Sequence, residues 1–192
     1  MFLLLAAVTA GLSPPAMDLA IREAVHEWAS EPLTSVMKFV TTLGSGWFLW
    51  PCGTVIGLGL VRAGRRREAA FFAIAVVGAN AWNEAMKLVF QRPRPEAYFD
   101  YPLPTNYSFP SGHSLVSFCF YLALAEMVME AHWSMARKLA LSCVVGLLVL
   151  SIGLSRVYLG VHYPSDVLGG YAGAVAWTFA VRGEIARRRV PE

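Results

Sequence analysis

Charged residues are scarce in this sequence: Asp, Glu, Lys and Arg together make up 15% of its 192 residues. A soluble globular domain usually has about 25% charged and about 45 to 50% apolar residues. Here 56% of the residues are hydrophobic, and the mean hydropathy is +0.50. These values argue against a soluble domain and favour a chain that places much of its surface in lipid.

The excess of basic charge and the number of cysteines are small as well. Sixteen basic and 13 acidic residues give a formal charge of +3. This is too small for the basic surface of a nucleic-acid-binding domain, so we expect no nucleic-acid partner. Cys52, Cys119 and Cys143 lie in apolar stretches without C-x-x-C spacing. They predict neither a disulfide framework nor a metal site.

Apolar segments divide the chain into membrane crossings, each of which needs about 20 residues of helix. We predict an all-α polytopic membrane helix bundle with five full transmembrane helices and a short or truncated one over residues 1–12. The five segments are residues 39–61, 69–90, 114–129, 139–155 and 167–181, the last lengthened from Tyr163. Gly44, Gly46 and Pro51 predict a break in the first segment that leaves residues 32–43 as a separate short helix.

The segment between residues 15 and 31 has a different pattern. Apolar Met17, Ile21, Val25 and Trp28 recur at helical spacing among charged residues. This predicts an amphipathic helix that lies in the membrane interface.

No low-complexity tract, internal repeat or linker rich in Gly and Ser divides the chain. We therefore predict one membrane-embedded domain over residues 1–192. It comprises an N-terminal segment with interfacial helices (1–43), the core helices (44–182) and a basic cytoplasmic tail (183–192).

Basic residues collect in two loops and the tail, which five alternating spans place on one side of the membrane. By the positive-inside rule that side is the cytoplasm of a multi-pass protein of the cell (inner) membrane. The ten residues are Arg62, Arg65, Arg66, Arg67, Arg137, Lys138, Arg182, Arg187, Arg188 and Arg189.

Other ionisable residues are predicted to meet at the opposite, extracytoplasmic face. Residues 114–154 are about the length of two crossings and a turn, so Arg156 returns to the side of His113. Asn80, Asn83, Glu84 and Lys87 share a helix face that should look into the bundle.

This outer cluster predicts a phosphate site. Three cations, Lys87, Arg94 and Arg156, converge beside Ser111 and Gly112 at a helix N-terminus, where free N–H groups and the helix dipole favour an anion. An anion with several oxygens suits three separate charge donors, so phosphate fits better than carboxylate.

Two histidines can then divide the transfer of the phosphoryl group. Asp166 lies four residues after His162 and can hold one ring nitrogen, which leaves the other free to attack phosphorus. We therefore predict His162 as the nucleophile and His113 as the general acid. Glu96 and Asp100 are isolated, so we predict no metal and no cofactor.

These residues match a three-part signature and resemble the type 2 phosphatidic acid phosphatase family, whose members share their site with vanadium haloperoxidases. The parts are Lys-x6-Arg-Pro (Lys87, Arg94, Pro95), Pro-Ser-Gly-His (residues 110–113) and Ser-Arg-x5-His-x3-Asp (Ser155, Arg156, His162, Asp166). The resemblance implies a membrane lipid phosphatase with a phosphohistidine intermediate on His162, activated by Asp166. It also implies that His113 protonates the leaving group and that Lys87, Arg94, Ser111, Gly112 and Arg156 hold phosphate.

The expected partners are a lipid phosphate substrate and membrane lipids. Undecaprenyl diphosphate or phosphatidylglycerol phosphate is the expected substrate, with phosphatidate or a lipid A phosphate as alternatives of the same chemistry. Alternatives of other classes are a transporter, a haloperoxidase and a non-catalytic lipid-phosphate binder. Arg92 is open to two readings, a second phosphate contact or part of a stiff loop, and the G-x-x-x-G of Gly169 and Gly173 fits either internal packing or a dimer face.

Overall fold

The computed structural model describes residues 14–129 and 132–187, and within these ranges it contains helices and no strands. The all-α prediction is therefore confirmed for the described chain, whereas the short span predicted over residues 1–12 lies outside it. The helices are α1 (Ala16–His26), α2 (Glu31–Thr42), α3 (Gly46–Arg62), α4 (Arg66–Phe90), α5 (Gly112–Val128), α6 (Met135–Tyr158) and α7 (Pro164–Arg187).

The predicted break is present at Gly44, whereas α3 continues through Pro51. Helix α2 ends at Thr42, α3 begins at Gly46, and the two axes are bent by 41°. A Cβ on Gly44 would clash with Ile152 and lie 3.3 Å from Cδ2 of His113. The break therefore brings the backbone against a predicted catalytic side chain, and only glycine permits that approach.

Length and apolar composition support fewer crossings than the five predicted. Among the described helices, α6 alone meets both requirements, and the bent pair α2 and α3 meets them if it counts as one crossing. Large apolar side chains nevertheless face outward, among them Val55 at 72% exposure, Leu147 at 66% and Phe179 at 70%. Such outward apolar surface on three helices suits lipid better than water.

Helix α5 lies at the centre of the bundle, packed against α4, α6 and α7. Phe72, Ala79, Leu115, Phe120 and Ala174 form the buried core around it. The G-x-x-x-G of α7 faces inward, since a Cβ on Gly169 would meet Phe109, and one on Gly173 would lie 3.1 Å from Leu115. Close packing within the chain therefore accounts for these two glycines.

Helix α1 turns two of its charged side chains inward, whereas Glu23 is exposed. Asp18 and Arg22 are buried, whereas Met17 and Trp28 are 64% and 58% exposed. Of the predicted apolar stripe, Val25 alone is buried. An outward apolar face with a buried polar one is the reverse of a helix on a soluble protein and agrees with an interfacial position.

Candidate active site

The ends of four helices and one loop meet at a single cavity of about 230 Å³. Five of the eight predicted site residues line it: Lys87 near the end of α4, Arg94 in the loop that follows, Gly112 and His113 at the start of α5, and Arg156 near the end of α6. The other three, Ser111, His162 and Asp166, are buried and do not line it. The tertiary structure thus places all eight in one region, as the crossing pattern predicts.

Each of the three cations is held by hydrogen bonds within the protein. Lys87 Nζ donates to the carbonyl oxygen of Tyr107 at 2.5 Å, and Arg94 Nη1 to that of Val161 at 2.9 Å. Arg156 Nη1 donates to Thr41 Oγ1 at 2.8 Å, while its buried Nε has no hydrogen-bond partner. An ammonium has three donors and a guanidinium five. Lys87 and Arg156 therefore keep donors for the oxygens of an anion. The five donors of Arg94 are all engaged within the protein, so Arg94 offers its positive charge to the cavity.

The carboxylate of Asp166 orients His162. Asp166 Oδ2 lies 3.3 Å from His162 Nδ1 and accepts hydrogen bonds from the Tyr163 amide at 2.9 Å and from the Ser108 hydroxyl. The other ring nitrogen, Nε2, lies 3.0 Å from Arg94 Nη1. Because Arg94 can only donate, this geometry places the ring proton on Nδ1 and the lone pair on Nε2.

The site suppresses the protonation of His162. Burial lowers the pKa of its imidazole to about 3; Asp166 opposes this shift, and the positive charges of Arg94 and Arg156 add to it. Burial, followed by repulsion from Arg156, also lowers the pKa of Arg94 to about 10. At neutral pH the pair is thus a neutral imidazole beside a guanidinium cation, the state a nitrogen nucleophile requires.

Ser111 caps helix α5. Its Oγ accepts from the Ser114 amide at 3.4 Å, and its own amide donates to the Asp166 carbonyl oxygen at 3.0 Å. Gly112 faces the cavity at the same helix terminus, and a Cβ there would lie 3.0 Å from Asn83 Nδ2. Gly112 therefore lies in tight contact with α4, and the phosphate contacts of Ser111 and Gly112 stay predictions.

Arg92 does not line the cavity. It is 4% exposed, and its guanidinium donates to Asp166 at 2.5 Å and to Asp18 at 2.8 Å. Arg92 therefore contacts carboxylates and does not line the cavity. This argues against the interpretation of Arg92 as a second phosphate contact. No linear pattern pairs residues 74 positions apart, and so sequence reasoning missed Asp18.

Polar residues other than the predicted eight also line the cavity. Asn80, Asn83 and Glu84 lie on its wall with Lys87, as their shared helix face predicts. Asn106 was missed; its side-chain oxygen accepts from Arg94 Nη2 at 2.7 Å. In the described part of the chain no group of three or more His, Cys, Asp or Glu side chains is arranged to hold a metal ion. Metal independence stays a prediction.

Comparison with known proteins gives consistent matches. The family model of the PAP2 superfamily matches residues 68–189. The phosphatidylglycerophosphatase B of Bacillus subtilis (strain 168) is 31% identical over 183 residues, 95% of this chain and 90% of that protein. The undecaprenyl-diphosphatase of Sulfolobus acidocaldarius is 29% identical over 145 residues, which are 72% of this chain and 64% of that protein.

A solved structure matches as well. The crystal structure of a transmembrane PAP2-type phosphatidylglycerolphosphate phosphatase from Bacillus subtilis is similar with a TM-score of 0.85 and 30% sequence identity. The match covers 97% of this chain and 92% of that one.

Proposed function

Because this chain belongs to the PAP2 superfamily and is a membrane lipid phosphate phosphatase, we propose that it removes the terminal phosphate of phosphatidylglycerol phosphate through a phosphohistidine intermediate. The observation that carries the mechanism is the orientation of His162. Its Nδ1 lies against Asp166, and its Nε2 faces the guanidinium of Arg94 on the cavity wall.

The reaction proceeds in two displacements. His162 Nε2 forms a bond to phosphorus while the bond between phosphorus and the glycerol oxygen breaks, and His113 donates a proton to that oxygen. Water then attacks phosphorus, His113 accepts its proton, and the bond between phosphorus and His162 Nε2 breaks to release inorganic phosphate and the free imidazole. Throughout, Lys87, Arg94 and Arg156 stabilise the charge on the three equatorial oxygens, with further donors from Ser111 and Gly112.

The choice of substrate rests on similarity and on charge. The relative named as a phosphatidylglycerophosphatase is matched over 90% of its length. In addition, the carboxylate of Glu84 lies on the cavity wall beside the amides of Asn80 and Asn83. A carboxylate there accepts a hydrogen bond from a glycerol hydroxyl and repels the second phosphate of a diphosphate. Undecaprenyl diphosphate is the second candidate, favoured by the similarity to the Sulfolobus enzyme.

The proposed location is the extracytoplasmic face of the cell membrane. The cavity lies where α4 and α6 end and α3 and α5 begin, whereas Arg62 lies at the other end of α3, Arg65 directly before α4 and Arg182 near the C-terminal end of α7. Under the positive-inside rule, the arginine-bearing ends are cytoplasmic and the cavity is extracytoplasmic.

Phosphate release from purified protein in detergent tests this function. The substrates are phosphatidylglycerol phosphate, undecaprenyl diphosphate, phosphatidate and a lipid A phosphate, each with EDTA present and each repeated with His162→Ala. We expect the fastest release from phosphatidylglycerol phosphate, none detectable with His162→Ala, and alkali-stable label on His162 of the wild type. Release from no lipid, undiminished release by the variant, or label on a serine or carboxylate contradicts the proposal.

A further inference from the structure

Helix α1 lies outside the residues matched by the family model, yet it contacts the catalytic carboxylate through a buried arginine. We propose that Asp18 and Arg92 are positioning residues that fix the carboxylate of Asp166, so that α1 is a working part of the active site. This inference rests on the proposed function, since it assigns how His162 is held for attack.

Arg92 bridges two acids in the interior. Its Nη1 donates to Asp166 Oδ1 at 2.5 Å and its Nη2 to Asp18 Oδ2 at 2.8 Å, and all three side chains are at most 3% exposed. Asp166 thereby uses one oxygen for Arg92 and the other for His162. A carboxylate anchored through one oxygen by a guanidinium cannot rotate freely, so Arg92 sets the direction from which Asp166 meets the imidazole.

Asp18 completes the arrangement from the side of α1. Its carboxylate accepts from Arg92 and also from the Ser165 amide at 2.9 Å and the Ser165 hydroxyl at 2.5 Å. Ser165 directly precedes Asp166 in the first turn of α7. Asp18 thus holds both the arginine and the backbone next to the catalytic acid, and removing one member of a buried ionic network leaves the others uncompensated.

A second buried charge attaches α1 to the loops of the site. Arg22 Nη2 donates to the carbonyl oxygens of Glu96 at 2.7 Å and Gly160 at 3.3 Å. Its guanidinium also lies 4.8 Å from the ring centre of Tyr98. Glu96 lies in the loop between α4 and α5, which also carries Arg94. Gly160 lies in the loop between α6 and α7, which also carries His162. Arg22 therefore holds α1 on both loops independently of Asp18.

The network predicts a specific kinetic defect. The side-chain hydrogen bonds of Asp18 end on Arg92 and Ser165, away from the cations that line the cavity. Changing Asp18 should therefore slow the attack by His162 while leaving phosphate binding intact. A general loss of stability would instead impair both the attack by His162 and the binding of phosphate.

The test compares Asp18→Asn, Arg92→Gln, the double variant and Glu23→Gln, which changes an exposed carboxylate of the same helix. With phosphatidylglycerol phosphate in detergent, we expect kcat of Asp18→Asn to fall about 10- to 100-fold. KM and the inhibition constant of inorganic phosphate should stay within about twofold of wild type, and Glu23→Gln should match wild type. In the Arg92→Gln background, adding Asp18→Asn should cause little further loss, since the two residues act as a unit.

Wild-type kcat in Asp18→Asn overturns the inference, as does a loss of phosphate inhibition in proportion to the loss of kcat. If Asp18→Asn does not fold, Ser165→Ala decides, because it removes one hydrogen bond to each partner and keeps both charges. Its kcat should fall several-fold, and an unchanged kcat overturns the inference. A wild type that releases phosphate from no lipid refutes the proposed function instead.

Discussion

The two ends of the helix bundle use arginine in opposite ways. At the end away from the cavity, Arg65 and Arg182 are 50% and 51% exposed and form surface pairs with Glu68 and Glu126. At the cavity end, Arg92 and Arg156 are buried. Exposed pairs contribute about 0 to 1 kcal/mol to stability, whereas breaking a buried pair costs about 3 to 5 kcal/mol. The same residue type is thus exposed on the surface at one end and buried in the interior at the other.

We expect the largest difference between the two ends of the bundle when an arginine is replaced and catalytic activity is measured. Replacing Arg156 by Gln removes a cation from the cavity wall, so we expect kcat/KM for phosphatidylglycerol phosphate to fall about 10²- to 10³-fold. Arg65→Gln, at the other end, should change it less than about twofold. Phosphate release from both variants in the same detergent checks this, and equal losses would mean that burial does not distinguish the two ends.

The pH dependence of stability should also distinguish the cavity end. Because the pKa of His162 is lowered to about 3 in the folded state and is about 6.5 when unfolded, the unfolded chain binds the extra proton between these values. Stability should therefore decrease as the pH falls from about 6.5 towards 3, by up to about 1.4 kcal/mol per pH unit from this group.

Thermal unfolding in detergent at pH 7 and pH 5 measures this effect. We expect Tm to fall more steeply for the wild type than for His162→Asn, which cannot titrate. Identical falls in the two proteins would show that His162 is not held neutral by the fold.

The smallest expected effect concerns selectivity within the cavity. Glu84→Gln removes the negative charge next to the cations without changing the size of the side chain. We expect the ratio of undecaprenyl diphosphate to phosphatidylglycerol phosphate hydrolysis to rise about two- to tenfold, because repulsion of the second phosphate is relieved. Side-by-side kcat/KM values measure the ratio, and an unchanged ratio would remove Glu84 from substrate selection.

Much of the architecture follows from local rules. The scarcity of charge and the apolar segments predict helices, and the glycines at 44 and 46 predict the break between α2 and α3, which the structure contains. The family resemblance read from the motifs is confirmed by the match to the PAP2 superfamily. The number of membrane crossings does not follow as directly, because α5 is short and α2 and α3 form a bent pair.

The cavity was predictable because helix ends obey simple geometry. Antiparallel neighbours return the end of α4, the start of α5, the end of α6 and the start of α7 to one side, whatever the packing between them. Motif spacing therefore brings Lys87, His113, Arg156 and His162 together without knowledge of any contact. Contacts that depend on how helices pack, such as that of Asp18 on α1 with Arg92, do not follow from helix direction and could not be predicted in this way.

Arg92 and Arg94 show where the sequence stops and the tertiary structure decides. Each is an arginine followed by proline, and charge alone predicts that both seek an anion, although only Arg94 has the spacing from Lys87 that the family signature requires. In the folded chain Arg94 lines the cavity, whereas Arg92 is buried between Asp18 and Asp166. The sequence by itself determined the family and its phosphate-binding chemistry, because residue types and spacings carry both. The position of Arg92 required α1 to dock on α7, because the two carboxylates that compensate its buried charge come from distant parts of the chain.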